Sequence, residues 1–253
     1  MTEARALVTG GSRGVGAAVA AALAAAGATV AVHCRKDVEA AKAVVDTLHG
    51  AGHAIVSGDI GDPSQASAVV ADAITALGGV DILVNNAGIY FEHPIASTSY
   101  EDWQACWRRI IDVNLYGTAN VTWKVVDHLL NRPEGPRGAR IVNVGSRGAY
   151  RGEPQALAYG ASKAAVHSLT QSLAVSLAPH GIAVAAVAPG FVHTDMVDSL
   201  LASPAGDAIR AQSPFGRVAE PEEVASAVAW LASPGAVWAS GAVLDLNGAS
   251  YLR

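Results

Sequence analysis

Tyr159 and Lys163 stand four residues apart in the segment AYGASK (158–163), and Ser146 lies thirteen residues before the tyrosine, at the end of an apolar run. Positions i and i+4 of a helix share a face, so a phenol and an ammonium would project side by side. A serine at a neighbouring strand end would reach both. The set supplies a proton donor, a charge to tune it and a hydrogen bond to aim a carbonyl. A phenol of pKa about 10 is a sluggish acid or base at neutral pH. A positive charge brought to about 4 Å, at an effective dielectric of about 20, is worth roughly 4 kcal/mol. That would lower the phenol by about two to three pH units before desolvation offsets part of the gain. Proton transfer at a carbonyl or alcohol oxygen is the chemistry that results.

A second cluster stands near the start. The run TGGSRGVG (9–16) joins an apolar segment to an Ala-rich one. Its glycines permit a sharp turn and a close backbone approach to a pyrophosphate. The helix that follows offers unpaired N–H groups and a partial positive charge. Gly10, Ser12, Arg13, Gly14, Val15 and Gly16 are therefore candidate nucleotide-binding residues, although the spacing differs from G-x-G-x-x-G. The next apolar segment ends in His33-Cys34-Arg35-Lys36. An acidic residue there would bind a ribose 2′-hydroxyl, and a basic one accommodates a 2′-phosphate. Arg35, with Arg13 approaching the same pocket, favours NADP(H) over NAD(H). Asp59 and Ile60 are placed to contact the adenine or to enter a helix. Asn86, Ala87 and Gly88 lie where a fourth strand would meet the same crevice.

The elements that must position these residues are legible as an alternation. β-Branched apolar runs at 6–9, 29–33, 54–57, 81–85, 140–144, 183–188 and 243–246 read as strands. Helical periodicity fills 15–26, 36–49, 63–77, 101–130, 159–178 and 222–232, with Pro63 and Pro221 suited to first turns behind Asp62 and Glu220. Such alternation implies an α/β fold with parallel strands and right-handed crossovers. No linker divides the 253 residues, so a single domain is expected, with a substrate loop at about 193–217. The loop 131–139 is expected at the surface.

Composition narrows the class. Just over half of the residues are apolar and 15% are charged, as suits a sheet covered on both faces. A net charge of −5 with scattered Lys and Arg argues against nucleic acid. The apolar stretch after the first residues is too short for a signal-peptide core or a membrane span, so no membrane partner and a cytoplasmic location are expected. Cys34 and Cys106 lack disulfide-framework or metal-ligand spacing and read as ordinary thiols; no metal is expected.

Taken in order, TGGSRGVG at 9–16, NNAG at 85–88, Asn114, Ser146, YxxxK at 159–163 and PGFVHT at 189–194 resemble the short-chain dehydrogenase/reductase family, in its single-domain branch, over essentially the whole chain. Within the family the chain is most similar to the 3-oxoacyl-carrier-protein reductases. The resemblance implies a Rossmann-type, doubly wound parallel sheet of seven strands in the order 3-2-1-4-5-6-7, flanked by helices. It implies a homotetramer built through the helices near 101–130 and 159–178 and the last strand. It also implies roles. Ser146 would hold the substrate carbonyl, Tyr159 would be the acid/base, and Lys163 would sit on the nicotinamide ribose. Asn114 would hold a proton-relay water, Thr194 and the backbone of Val192 would contact the carboxamide, and Pro189 and Gly190 would also bind the cofactor. An extra turn at 103–106 and a long 131–139 loop depart from the pattern and are expected to alter the approach to the site.

The function expected is reduction of a ketone or β-ketoacyl substrate to a secondary alcohol, the substrate being a small molecule or a carrier-linked one. Arg137, Arg147 and Arg151 are candidates for docking an acidic carrier. A sugar, steroid or secondary-alcohol dehydrogenase working oxidatively would share every catalytic group. An NADP-binding sensor without chemistry would have no need of serine, tyrosine and lysine in register. Tyr90, Phe91, His93, Tyr150, Leu157 and Phe191 are expected on the substrate side, His93 there as a second acid/base or as a loop residue without a role.

Overall fold

The computed structural model of the chain describes residues 4–253, apart from the side chains of Met196 and Ser199. Seven parallel strands form one sheet: β1 (Arg5–Val8), β2 (Thr29–Cys34), β3 (Ala54–Ser57), β4 (Ile82–Asn85), β5 (Arg140–Val144), β6 (Ala183–Pro189) and β7 (Val243–Leu246). Their spatial order is β3-β2-β1-β4-β5-β6-β7, as the resemblance implied. The sheet grows outward from β1 toward β3, then crosses back to β4 and continues to β7. The crevice beyond the carboxyl ends of β1 and β4, where the winding reverses, is the ligand position of such folds.

Both faces of the sheet are buried, and the strand period divides them. Ala6, Val8, Val30, Val32, Ile82, Val84, Val142 and Val144 pack on one side, with helices α1 (Gly14–Ala25) and α10 (Pro221–Leu231) over them. Leu7, Ala31, Leu83, Ile141 and Val184 point to the other side. There they meet α3 (Pro63–Leu77), α5 (Thr118–Asn131) and α7 (Leu157–Leu177). Alternate residues therefore face opposite layers and both sets are mostly apolar, which is why the strands read as nearly continuous runs.

Local signals set the helix boundaries. Asp62 accepts the N–H groups of Ser64 and Gln65 at 2.9 and 3.0 Å, Pro63 opens α3, and Gly78 closes it in the left-handed region at φ +73°. Glu223 accepts the Glu220 N–H at 2.8 Å at the start of α10. The helix α2 (Val38–Val45) is shorter than the 36–49 expected, because Asp37 caps it by accepting the Ala40 N–H at 3.0 Å.

The span 101–130 is not one helix. The helix α4 (Tyr100–Ile111) runs into a π-helical turn at Asp112–Gly117 before α5 resumes. Gly117 lies so close to Ile60 that a Cβ would come within 2.9 Å of it. Two short helices, α8 (Asp195–Leu201) and α9 (Gly206–Arg210), occupy what reads as a flap, and α6 (Gly148–Arg151) follows β5.

The 131–139 loop corrects an expectation. Arg132 pairs with Asp81 at 2.5 Å, and Asp81 pairs in turn with Arg5 at 2.8 Å, at the amino ends of β4 and β1. This is the end of the sheet opposite the crevice, so the loop does not shape the approach to it. Asp81, between two guanidinium groups, has its pKa held down at about 2 despite partial burial.

Candidate active site

The glycine turn is built by close contacts. Gly10 and Gly14 take φ of +62° and +53°, where a side chain would be strained. A Cβ on Gly16 would collide with the Gly10 carbonyl, and one on Gly10 would come within 2.9 Å of Ala87 Cα. Thr9 Oγ1 accepts the N–H groups of Asn86 and Ala87, and Asn86 Nδ2 donates to the carbonyls of Thr9 and Gly10. The turn after β1 and the segment after β4 are thus one unit. Arg13 is exposed and extended at the N-cap of α1 without bonding a helix N–H through its side chain. The first-turn N–H groups there have no intrahelical partner, which fits a bound phosphate.

His33 completes this unit and was not among the expected site residues. Its Nδ1 accepts the Gly10 N–H at 3.0 Å, so Nε2–H donates to the Gly58 carbonyl at 2.9 Å. Burial lowers its pKa, keeping the neutral form this bonding requires. A histidine in an otherwise apolar strand was the available signal.

Arg35 is exposed directly after β2, and its charge helps hold the Asp59 pKa down. Asp59 is not a free contact. Its Oδ2 accepts Arg109 Nη2 at 2.7 Å and its Oδ1 accepts the Gly61 N–H. Ile60 is buried against Gly117. On the opposite wall Thr194 packs over Gly14, with Cγ2 at 3.0 Å from a Cβ placed there. Pro189 ends β6, and Gly190 donates to the Leu246 carbonyl. Val192 bridges to Ala219.

Ser146, Tyr159, Lys163 and Asn114 gather at the end of β5. Gly148 N–H donates to Ser146 Oγ at 3.0 Å, which leaves the hydroxyl proton for another acceptor. Lys163 is buried and its Nζ donates to the Val144 carbonyl at 2.8 Å. It lies 5.8 Å from the centre of the Tyr159 ring. A Cβ on Gly88 would stand 3.4 Å from Lys163 Nζ and 3.5 Å from Asn114 Oδ1, which puts Gly88 beside both groups. Asn114, in the π turn, donates to the Ile89 carbonyl and to Ser162 Oγ and accepts the Ile89 N–H at 2.8 Å. π turns recur at functional sites because they re-aim one residue without ending the helix.

The electrostatics differ from the expectation of a tyrosine acidified by lysine. Burial pushes the Tyr159 phenol up, the nearby Ser146 hydroxyl partly offsets this, and the Glu153 carboxylate adds to the rise. That net rise stands with Lys163 beside the ring, and burial takes the Lys163 ammonium itself down to about 8. Desolvation is the largest influence on both groups. Glu153, half-buried with its own pKa raised by burial, is a neighbour of the site that sequence reasoning missed.

His93 is neither an acid/base nor idle. It is fully buried, its Nε2 accepts the Ala158 N–H at 3.1 Å, and its Nδ1–H donates to the Phe91 carbonyl at 2.9 Å. It fixes the amino end of α7 one residue before Tyr159. Tyr90 packs edge-on against Tyr159 at 5.2 Å. Tyr150 instead faces Tyr251 and Arg253 at the carboxyl terminus. Arg147 is buried and cannot serve as a surface docking charge, whereas Arg137 and Arg151 are exposed. Among the described residues no group of three His, Cys, Asp or Glu is placed to hold a metal ion, and no helix is long and apolar enough to cross a membrane.

A family model described as enoyl-(acyl carrier protein) reductase matches residues 10–248. The chain is 37% identical to a 3-oxoacyl-[acyl-carrier-protein] reductase of Synechocystis sp., over 98% of this chain and 97% of that one. It is 39% identical to 3beta-hydroxysteroid dehydrogenase 1 of Eggerthella lenta, over 97% and 93%. A crystal structure of a short chain dehydrogenase from Burkholderia cenocepacia in complex with NADP superposes with a TM-score of 0.87 at 35% identity, covering 98% of each chain. With the sheet order and the glycine turn, these matches establish that the chain belongs to the short-chain dehydrogenase/reductase family and is an NAD(P)-dependent oxidoreductase.

Proposed function

We propose that the enzyme uses NADP(H) to reduce a ketone or β-ketoacyl substrate to the secondary alcohol, with Ser146, Tyr159, Lys163 and Asn114 as its working residues. The observation that carries this reading is the gathering of Ser146 and Tyr159 with a buried Lys163, which bonds the Val144 carbonyl, at the carboxyl end of β5. The nicotinamide, when bound, supplies the hydride. Ser146 and Tyr159 hydrogen-bond the substrate carbonyl oxygen, and Tyr159 donates its proton as negative charge develops there. The raised phenol pKa keeps that proton in place at neutral pH. Lys163 orients the ribose, and the phenol regains its proton through Lys163 and a water held at Asn114.

The preference for NADP(H) rests on Arg13 and Arg35 beside the crevice and on the use of Asp37, the nearest acid after β2, as a helix cap. Gly10, Ser12, Gly14, Val15 and Gly16 would hold the pyrophosphate. Asp59 and Ile60 would border the adenine, with Asn86, Ala87 and Gly88 along the ribose. Pro189, Gly190, Val192 and Thr194 would flank the carboxamide, and residues 193–217 would close on the substrate.

Oxidation of a hydroxysteroid is a second reading, favoured by the Eggerthella relative and by the Tyr90 ring packed edge-on against Tyr159. We further propose a cytoplasmic homotetramer. Trp238 is 97% exposed and Val175 80% exposed, and both lie near the uncovered edge strand β7 or on α7, a surface costly to leave in water.

A spectrophotometric screen tests the assignment. β-Ketoacyl thioesters, diketones, sugars and sterols are offered with NADPH and NADH in parallel, in both directions. Faster NADPH oxidation with a ketone or thioester is the expected result. A clear NADH preference would overturn the reading of Arg13 and Arg35, and no carbonyl-dependent turnover with either coenzyme would favour a sensor.

A further inference from the structure

Arg147 carries a buried charge that the reaction above does not use. It follows Ser146 directly, and its backbone N–H donates to the Pro189 carbonyl at 2.8 Å. The residue is 5% exposed, yet no carboxylate pairs with it among the described residues. Nη1 donates to Ser250 Oγ at 2.6 Å, Nη2 donates to Gln212 Oε1 at 3.0 Å, and the guanidinium lies over the Phe191 ring. Arg151 donates to that same Gln212 oxygen through Nη1. Glu153 is near enough to influence both arginines but forms an ion pair with neither.

Burying a cation without a counter-anion is costly, and a neutral amide oxygen does little to offset two guanidinium groups that repel each other. A carboxylate or phosphate oxygen at that point would accept charge-assisted bonds from both. Space exists beside it. A cavity of about 310 Å³ opens between the ends of β6 and β7 and the segment after α9, walled by Phe191, Phe215 and Ser250 along with Arg147. Gln212 belongs to the 193–217 segment proposed to close on the substrate.

We infer that the substrate of this enzyme carries an anionic group, a carboxylate or a phosphate, and that Arg147, on the wall of this cavity, holds it together with Arg151, which reaches the same point at Gln212. The Gln212 amide occupies the position of that anion and gives way to it. This inference rests on the reductase reading for its meaning, but binding tests it separately.

The experiment is calorimetric titration of the protein saturated with NADP⁺, which fills the coenzyme's own phosphate sites. Glutarate and inorganic phosphate are the two anionic probes, and glutaramide is the neutral control. One anion binds, glutaramide does not, and whichever anion binds identifies the group. Kd rises on the order of tenfold to a hundredfold in R147Q and R151Q. Should R147Q fail to fold, R151Q at an exposed position and R147K, which keeps the charge but loses the fork, carry the comparison. Binding of neither anion, or equal binding by wild type, R151Q and R147K, would overturn the inference. An anion bound by a protein that oxidises no NADPH with any carbonyl would sink the reductase reading and leave the anion site intact. Reduction of neutral ketones by a protein that binds neither anion would do the reverse.

Discussion

Lys163 is charged at neutral pH only at a cost, and that cost has two measurable consequences. Its folded pKa of about 8 lies below the ordinary 10.5, so between those values the folded protein holds fewer protons than the unfolded chain. The penalty for burying the ammonium is in full force below pH 8 and is relieved as pH rises. Lys163→Met should therefore raise the melting temperature at pH 7 by several degrees, from removal of about 2–3 kcal/mol of strain, while turnover is lost. A lower melting temperature would show that the bond to Val144 outweighs desolvation. In the wild type, kcat/KM for reduction should hold level below pH 8 and decline above it as the ammonium deprotonates, since the phenol stays protonated across that range. A profile flat to pH 10 would contradict this role for the lysine.

The glycine turn, the π turn and the start of α7 are the elements that set the site, and they were unequally legible. Four glycines after an apolar run, or a proline behind an acid, act within a few residues, so the turn and the caps could be read directly. The π turn at Asp112–Gly117 could not, because one inserted residue barely disturbs a helical period; Asn and Gly inside a helix were the faint signal. The bonding of His33 and His93 was not legible, since their partners, Gly58 and Ala158, are distant in sequence. The tyrosine pKa failed for a related reason: a charge four residues away can be counted, whereas burial depends on everything packed around it. A prediction belongs at this scale. Gly16→Ala should weaken NADPH binding by at least tenfold and lower stability by about 1–3 kcal/mol, because its Cβ would meet the Gly10 carbonyl and backbone must shift. Unchanged coenzyme affinity by fluorescence titration would contradict the contact.

The whole molecule separates stability from chemistry along the strand direction. Largely apolar strands buried on both faces give the sheet, the amino ends carry the Arg5–Asp81–Arg132 ion pairs, and the carboxyl ends carry the candidate catalytic and coenzyme residues. Asp81 is depressed to about 2 from 3.8, so its stabilisation is complete above pH 3.8 and is lost as pH falls through about 2. At pH 7 Asp81→Asn should cost about 2 kcal/mol and several degrees of melting temperature without changing KM. An effect on KM would place this network closer to the site than the fold does. Sedimentation should give a species near four times the 25.7 kDa chain; a monomer at micromolar concentration would contradict the tetramer. The central claim, that the Tyr159 hydroxyl delivers the proton, is tested most directly by single-turnover NADPH oxidation in Tyr159→Phe with the preferred ketone. The expected result is a loss on the order of a thousandfold or more with coenzyme affinity preserved, and turnover close to that of the wild type would contradict it.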